Sequence, residues 1–191
     1  YCMRMGNFIK SNFWKLIKDE QYQNEVQRPL FEGFQVTHPD LLKRRVPKVA
    51  DLSRLGSAEY PIAVNGVLGE ISYLSLLRTS RGSPFAFHRV GSGSGTDSRL
   101  DVYELLSLDL SVRTRFHLDL YYSARTRQAP KGFKLANEFL RSNPIFGTHN
   151  NVPDFPIGIS HAVRELSKDV YGCPAPVNVL RQFEGLLSEG G

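Results

Sequence analysis

The side chains best suited to chemistry lie along residues 112–122, whose sequence is VRTRFHLDLYY. Every second position carries a polar or charged group, and these groups are Arg113, Arg115, His117, Asp119 and Tyr121. An imidazole and a carboxylate on the same strand face can serve as a general base with its partner, or as two ligands of a metal ion. With a histidine from a nearby segment, they form a candidate catalytic set for a hydrolase-type enzyme: His88, His117 and Asp119.

A second candidate site is the basic segment at residues 123–134. It places four cations within ten positions, namely Arg125, Arg127, Lys131 and Lys134. Aromatic residues lie on both sides of them, a mixture typical of surfaces where phosphates meet cations and bases stack on rings. An acidic protein surface would suit the same charges. We therefore predict a partner-binding surface that joins the polar strand face to this loop: Arg113, Arg115, Tyr121, Arg125, Arg127, Lys131 and Lys134.

The sequence lacks the common signatures of cofactor and metal chemistry. It contains no P-loop, no GxSxG pattern and no HExxH pattern. Its two cysteines, Cys2 and Cys173, are too few for a zinc site built from cysteine pairs or for a disulfide framework. We therefore expect no cofactor and no bound metal. Sparse cysteines also favour a reducing compartment, the cytoplasm.

The charge balance favours an anionic partner. The chain has 24 basic and 19 acidic residues, a net charge of +5, and a pI of about 9.3. This modest excess fits an acidic protein or a nucleic acid. No apolar run approaches the roughly 18–20 residues that a transmembrane helix needs.

Three segments have the composition and alternation of strands, at residues 84–90, 100–108 and 112–122. They predict the centre of a sheet, and the short connection between the last two predicts a hairpin. The Gly/Ser tract at residues 91–96 predicts a flexible linker, either native or a designed replacement of a longer loop.

Two registers fit the predicted hairpin. One places Glu104 opposite Arg115, as an ion pair on the polar face. The other is shifted by one residue and places Tyr103 opposite His117, which exchanges the faces of the partner strand. We prefer the second register because it keeps apolar residues of one strand opposite Thr114 and Leu118, although it turns Glu104 inward.

The remaining segments predict helices. The expected helices cover residues 7–27, residues 66–79 with Asn65 as the N-cap, and residues 133–141. Two more are expected near the C-terminus, one ending at Gly172 and one beginning at Pro176.

These elements predict a single α+β domain over residues 1–191, either uniform or with residues 1–28 as a helical extension. Its small, mainly antiparallel sheet would be covered by the N- and C-terminal helices. We expect a non-catalytic binding or adaptor protein that contacts an acidic protein or a nucleic acid, with the hydrolase-type enzyme as the alternative. A binding module would have a flat basic surface around His117, whereas an enzyme would have a pocket where the two histidines converge.

Overall fold

A mixed five-stranded sheet with helices on both faces forms the centre of the protein. The structure is a computed structural model that describes residues 19–37, 40, 43–95, 98–137, 144–167 and 176–188. Within these ranges the helices are α1 (Glu20–Val26), α2 (Arg28–Thr37), α3 (Gly66–Leu76), α4 (Ile159–Leu166) and α5 (Val177–Ser188). The strands are β1 (Ile62–Ala63), β2 (Leu77–Thr79), β3 (Phe85–Ser94), β4 (Arg99–Ser107), β5 (Arg113–Asp119), β6 (Phe133–Leu135) and β7 (Gly147–Thr148).

The strands of the main sheet follow the order β1-β5-β4-β3-β7. The three central strands are antiparallel, whereas the edge strands β1 and β7 run parallel to β5 and β3. Strands β2 and β6 form a separate antiparallel pair. The α+β class is confirmed, but the sheet is mixed and differs in detail from the mainly antiparallel sheet that the sequence predicts. The parallel edge strands are two residues long, too short to produce a period-two pattern.

The three predicted central strands are present, with shifted ends. The largest difference is in β3, which continues through the Gly/Ser tract as far as Ser94. Residues 91–94 pair with residues 99–102 of β4, after a β-bulge between Arg89 and Gly91. These four residues therefore belong to the sheet rather than to a flexible linker. Glycine suits this place because a bulge bends the strand locally.

The hairpin between β4 and β5 adopts the register that we did not prefer. Glu104 lies opposite Arg115, and Tyr103 lies opposite Phe116 rather than His117. Residues 108–111 connect the two strands. At the base of this connection the Ser107 amide donates to the Val112 carbonyl at 2.9 Å. This register puts Tyr103 into the core with Phe116 and leaves Glu104 facing the arginines.

The two faces of the sheet are buried by different helices. The face that we name the α3 face packs on Ile71 and Leu74 of that helix, and its sheet residues are Phe85, Phe87, Tyr103, Leu105, Phe116 and Leu118. On the opposite face, named the α4–α5 face, Ala86 and Leu106 pack on Ile159, Val163, Leu180 and Phe183. An internal helix thus covers one face, and the C-terminal helices cover part of the other.

Helix α3 begins in an unexpected way. Asn65 makes no side-chain capping hydrogen bond. Instead the Gln27 side chain accepts from the Leu68 amide at 2.8 Å, and its amide nitrogen donates to the Asn65 carbonyl at 2.9 Å. The start of the helix is therefore capped by a side chain that follows α1, a long-range contact that local sequence cannot reveal.

Other predicted helices are changed or lie partly outside the described residues. Helix α3 ends at Leu76, since residues 77–79 form β2. The helix expected from Phe133 is instead strand β6 at its start. Of the N-terminal helix, the described part is α1, and residues 1–18 lie outside the described residues. No helix in the part of the chain that the structure describes is long and apolar enough to cross a membrane.

Candidate functional site

The α4–α5 face carries two arginines that share one buried carboxylate. Arg113 Nε donates to Glu104 Oε1 at 2.7 Å, and Arg115 Nη2 donates to Glu104 Oε2 at 3.1 Å. The arginine side chains are 56% and 61% exposed, whereas that of Glu104 is 10% exposed. Burial raises the pKa of Glu104, but the hydrogen bonds from both arginines outweigh it and hold this pKa below its ordinary value. Glu104 therefore remains a carboxylate that fixes the inner edges of two outward-facing guanidiniums.

His88 lies beside this carboxylate but is part of the interior. Its ring stacks on Phe155 with centroids 4.3 Å apart, and its Nδ1 accepts from the Val152 amide at 3.1 Å. Its Nε2 lies 3.7 Å from Glu104 Oε2. Burial lowers the pKa of His88 although Glu104 acts in the opposite direction. This histidine therefore joins the sheet to the segment after β7 as a neutral ring.

The other two members of the predicted catalytic set have separate environments. His117 is half-buried, with Nδ1 3.3 Å from the Gly56 carbonyl oxygen. Asp119 is buried and accepts from Arg44 Nη2 at 2.8 Å and Ser98 Oγ at 2.7 Å. His88 and His117 do not converge, because β4 lies between their strands and two strand spacings amount to about 9–10 Å. Among the described residues there is also no group of three or more metal-ligating side chains.

The basic loop packs on the opposite side of the sheet from Arg113 and Arg115. The Gln128 carbonyl accepts from the Tyr73 hydroxyl of α3 at 2.9 Å. The Arg125 side chain is 1% exposed, lies 3.4 Å from Glu20 Oε1 and donates to the Ser72 hydroxyl of α3. This buried guanidinium is part of the core, which differs from its predicted role in partner binding. The predicted surface is therefore divided between two sides of the protein.

The rest of the loop has exposed cations, but the aromatic rings near them are not free for bases to stack on. Arg127 is 59% exposed and contacts Glu20 at 2.9 Å, and Lys131 and Lys134 are exposed. The aromatic residues nearby are engaged in packing. Tyr121 lies against Phe34 with ring centroids 4.6 Å apart, Tyr122 is buried under Arg44, and Phe133 packs on Phe85 and Phe116.

We expect the two histidines to differ in their effect on stability. His88→Ala should lower the free energy of unfolding by about 1–3 kcal/mol, because the Val152 amide loses its acceptor inside the protein. His117→Ala should cost less, about 0.5–1 kcal/mol, since this ring is half-buried and makes one long polar contact. Chemical denaturation of the two variants measures this difference. Equal, negligible losses would contradict the interior position of His88.

Sequence reasoning missed a buried polar cluster on the α3 face. Its centre is Glu70, the charged residue of helix α3, which is fully buried together with the apolar Ile71 and Leu74. The hydroxyl of Tyr103 donates to Glu70 Oε2 at 2.9 Å. Arg89 Nη2 and Ser92 Oγ both reach Asp101 Oδ1, at 2.7 and 3.1 Å. A glutamate within a helix of mostly apolar residues was the available signal, because a buried charge requires a partner.

Burial raises the pKa of Glu70 well above its ordinary value of 4.5, and the nearby Asp101 carboxylate raises it further. Proximity of one carboxyl to another is a feature of acid–base sites as well as of structural proton-sharing pairs. The cluster contains residues of α3, β3 and β4, so its geometry depends on the whole fold. Comparison of the chain with protein-family models, with curated proteins and with solved structures finds no match.

Proposed function

We propose that the protein is a non-catalytic binding or adaptor module that recognises an acidic segment of a protein through Arg113 and Arg115. The observation that carries this proposal is the shared anchor, Glu104. Each guanidinium uses one edge on that carboxylate, and its remaining N–H groups have no hydrogen-bond partner among the described residues. A guanidinium held in this way loses little conformational freedom when it binds a carboxylate in a bidentate manner.

The spacing of the two arginines supports an extended partner. They occupy alternate positions of β5, so their Cα atoms are about 6.5–7 Å apart along the strand. Alternate side chains of an extended acidic segment have the same spacing. Two guanidiniums and one carboxylate leave a net charge of +1, which favours a weak, salt-sensitive interaction.

An acidic protein segment fits this surface better than single-stranded nucleic acid does. Nucleic-acid binding of that kind needs aromatic rings on which bases can stack. The rings that the sequence offered for this purpose, Tyr122 and Phe133, pack within the protein. The remaining cations of the loop lie on the other side of the sheet and do not extend the patch formed by Arg113 and Arg115.

We expect removal of both arginines to abolish most of the binding to an acidic peptide. Because Glu104 would be left buried without a partner, the test compares the triple variant Glu104→Gln, Arg113→Gln, Arg115→Gln with Glu104→Gln alone. The triple variant should bind a ten-residue glutamate-rich peptide about tenfold more weakly than the single variant, since each exposed pair contributes up to about 1 kcal/mol. Fluorescence anisotropy of a labelled peptide at low salt measures the affinity.

The matched control is Lys131→Glu, Lys134→Glu, which reverses two exposed charges on the other side of the sheet. It should leave peptide binding within about twofold, and circular dichroism should confirm folding of every variant. If this control lost as much affinity for the peptide as the triple variant does, the binding would reflect general charge attraction, and the proposed patch would be contradicted. If single-stranded RNA or DNA bound tightly through the same two arginines, the partner would be a nucleic acid rather than an acidic protein segment.

A further inference from the structure

One edge of the main sheet is open beside the two exposed arginines. Strand β1 pairs with β5 at Leu118 and Asp119. One position earlier in β5, the His117 amide donates to the Gly56 carbonyl at 2.9 Å. Residues 113–116 pair with β4 on one side of the strand and, within the part of the chain that the structure describes, with no strand on the other.

The alternation of hydrogen bonds shows which backbone groups face this open edge. In an antiparallel pair, successive residues of a strand direct their N–H and C=O groups to opposite sides. The Val112 carbonyl accepts a hydrogen bond from β4, whereas the His117 amide donates on the opposite side of β5. The backbone N–H and C=O groups of Arg113 and Arg115, which alternate with Val112 and are in phase with His117, therefore face away from β4.

These backbone groups are available to another chain. Arg113 and Arg115 are exposed, and the groups that they direct to the edge have no hydrogen-bond partner among the described residues. An unpaired strand edge is a template for a further extended segment. The Gly56 carbonyl already uses the next position of the same edge, at His117, as such a partner.

The side chains at this edge select which chain can pair with it. A second copy of β5 would place arginines beside arginines, and like charges on neighbouring strands are destabilising. Charged side chains on an edge strand protect against self-pairing for the same reason. An acidic chain reverses the sign of this interaction, because its carboxylates would lie next to the guanidiniums on the α4–α5 face.

We propose that the acidic segment binds as an added strand of the main sheet, on the edge of β5 formed by the backbone of Arg113 and Arg115. This inference rests on the proposed function and deepens it, because it assigns the conformation of the partner and its main-chain contacts. The N–H and C=O groups of the edge supply affinity for an extended chain. The two guanidiniums select a chain that carries carboxylates at alternate positions, since these share one face of a strand.

Amide hydrogen exchange resolved at single residues tests whether the edge is open and becomes paired. In the free protein the amides of Arg113 and Arg115 should exchange at least about tenfold faster than those of Thr114 and Phe116, which face β4, after correction for intrinsic rates. A ten-residue peptide of alternating glutamate and serine, added near saturation, should slow the two arginine amides by about tenfold. Slow exchange of these amides in the free protein, or no slowing with the peptide bound, would overturn the proposal.

Backbone methylation of the same peptide separates main-chain pairing from charge attraction. One version is N-methylated at every glutamate and the other at every serine, so the two have equal charge. Because the glutamates must lie on the side of the arginines and successive N–H groups point to opposite sides, only one version keeps the N–H groups that face β5. Fluorescence anisotropy at low salt should show an affinity loss of about tenfold or more for the other version and of less than about twofold for this one.

The identity of the weaker version gives the direction of the added strand. Residues opposite Arg113 and Arg115 direct their own N–H groups to β5 in an antiparallel pair, whereas their neighbours do so in a parallel pair. Loss confined to the glutamate-methylated peptide therefore indicates an antiparallel strand, and loss confined to the serine-methylated peptide indicates a parallel one.

The remaining outcomes distinguish this proposal from the one on which it rests. If the unmethylated peptide binds through the arginine side chains but the two methylated versions keep or lose affinity equally, the added strand is overturned and the arginine patch stands. If the unmethylated peptide does not bind, or binds the triple variant Glu104→Gln, Arg113→Gln, Arg115→Gln as well as it binds Glu104→Gln, the proposed function fails and the added strand fails with it.

Discussion

Replacing Leu118 with alanine should lower the free energy of unfolding by about 2–5 kcal/mol. Leu118 is completely buried in β5, within the core on the α3 face. Its strand is held on both sides, by Ile62 of β1 and by Asp101 of β4, so the surroundings cannot easily collapse into the space left by the missing atoms. Chemical denaturation monitored by circular dichroism measures the change.

Val36→Ala is the matched control for this truncation. Val36 is 84% exposed on α2, so the substitution should change the free energy of unfolding by less than about 0.5 kcal/mol. A denaturation midpoint of Leu118→Ala that equals that of the control would contradict the assignment of residues 113–119 as a central strand with this side facing the core.

Reversing the charge of Arg125 should destabilise the protein by about 3–5 kcal/mol or prevent folding. The guanidinium is 1% exposed and lies 3.4 Å from Glu20 Oε1. A glutamate at this position would place two carboxylates together inside the protein and would also remove the donor to Ser72. The sequence alone assigned Arg125 to an exposed partner-binding surface, where a charge reversal would leave folding intact.

Arg127→Glu is a close control, since Arg127 contacts the same oxygen of Glu20 at 2.9 Å but is 59% exposed. Solvent screens such a pair, and its loss should cost less than about 1 kcal/mol. The two variants make the same charge change beside the same carboxylate, and they differ in burial and in the loss of the Arg125 donor to Ser72. If thermal or chemical unfolding gave similar losses for both variants, the interior position of Arg125 would be wrong.

The hydrogen-bond partners of the buried polar groups come from distant parts of the chain. Glu70 and Tyr103 are 33 positions apart in sequence, and no local spacing joins them. The same is true of Gln27 and Leu68, which are 41 positions apart. A pattern of charges shows neither which of them become buried nor which partners they meet, and for this reason the predicted surface included the buried Arg125.

The catalytic set illustrates a related difficulty. His117 and Asp119 share a strand, so their spacing could be read from the sequence. The position of His88 relative to them depends on strand order, and β4 separates the two histidines. Strand order is decided by long-range pairing, which alternation within one strand does not contain.

The sequence by itself determined the three central strands of the sheet, whereas its predictions of a linker over residues 91–94 and of a helix from Phe133 were wrong. Alternation in residues 112–122 puts Phe116, Leu118 and Leu120 on one side of the strand, opposite the polar residues, and all three are buried. Only the tertiary structure decided the register, because a shift of one residue preserves the alternation of each strand while changing every partner across it. That choice placed Glu104 beside Arg113 and Arg115 and brought Asp101 to Glu70. Periodicity reports which side of a segment faces the core, whereas packing between distant segments decides which polar groups meet there.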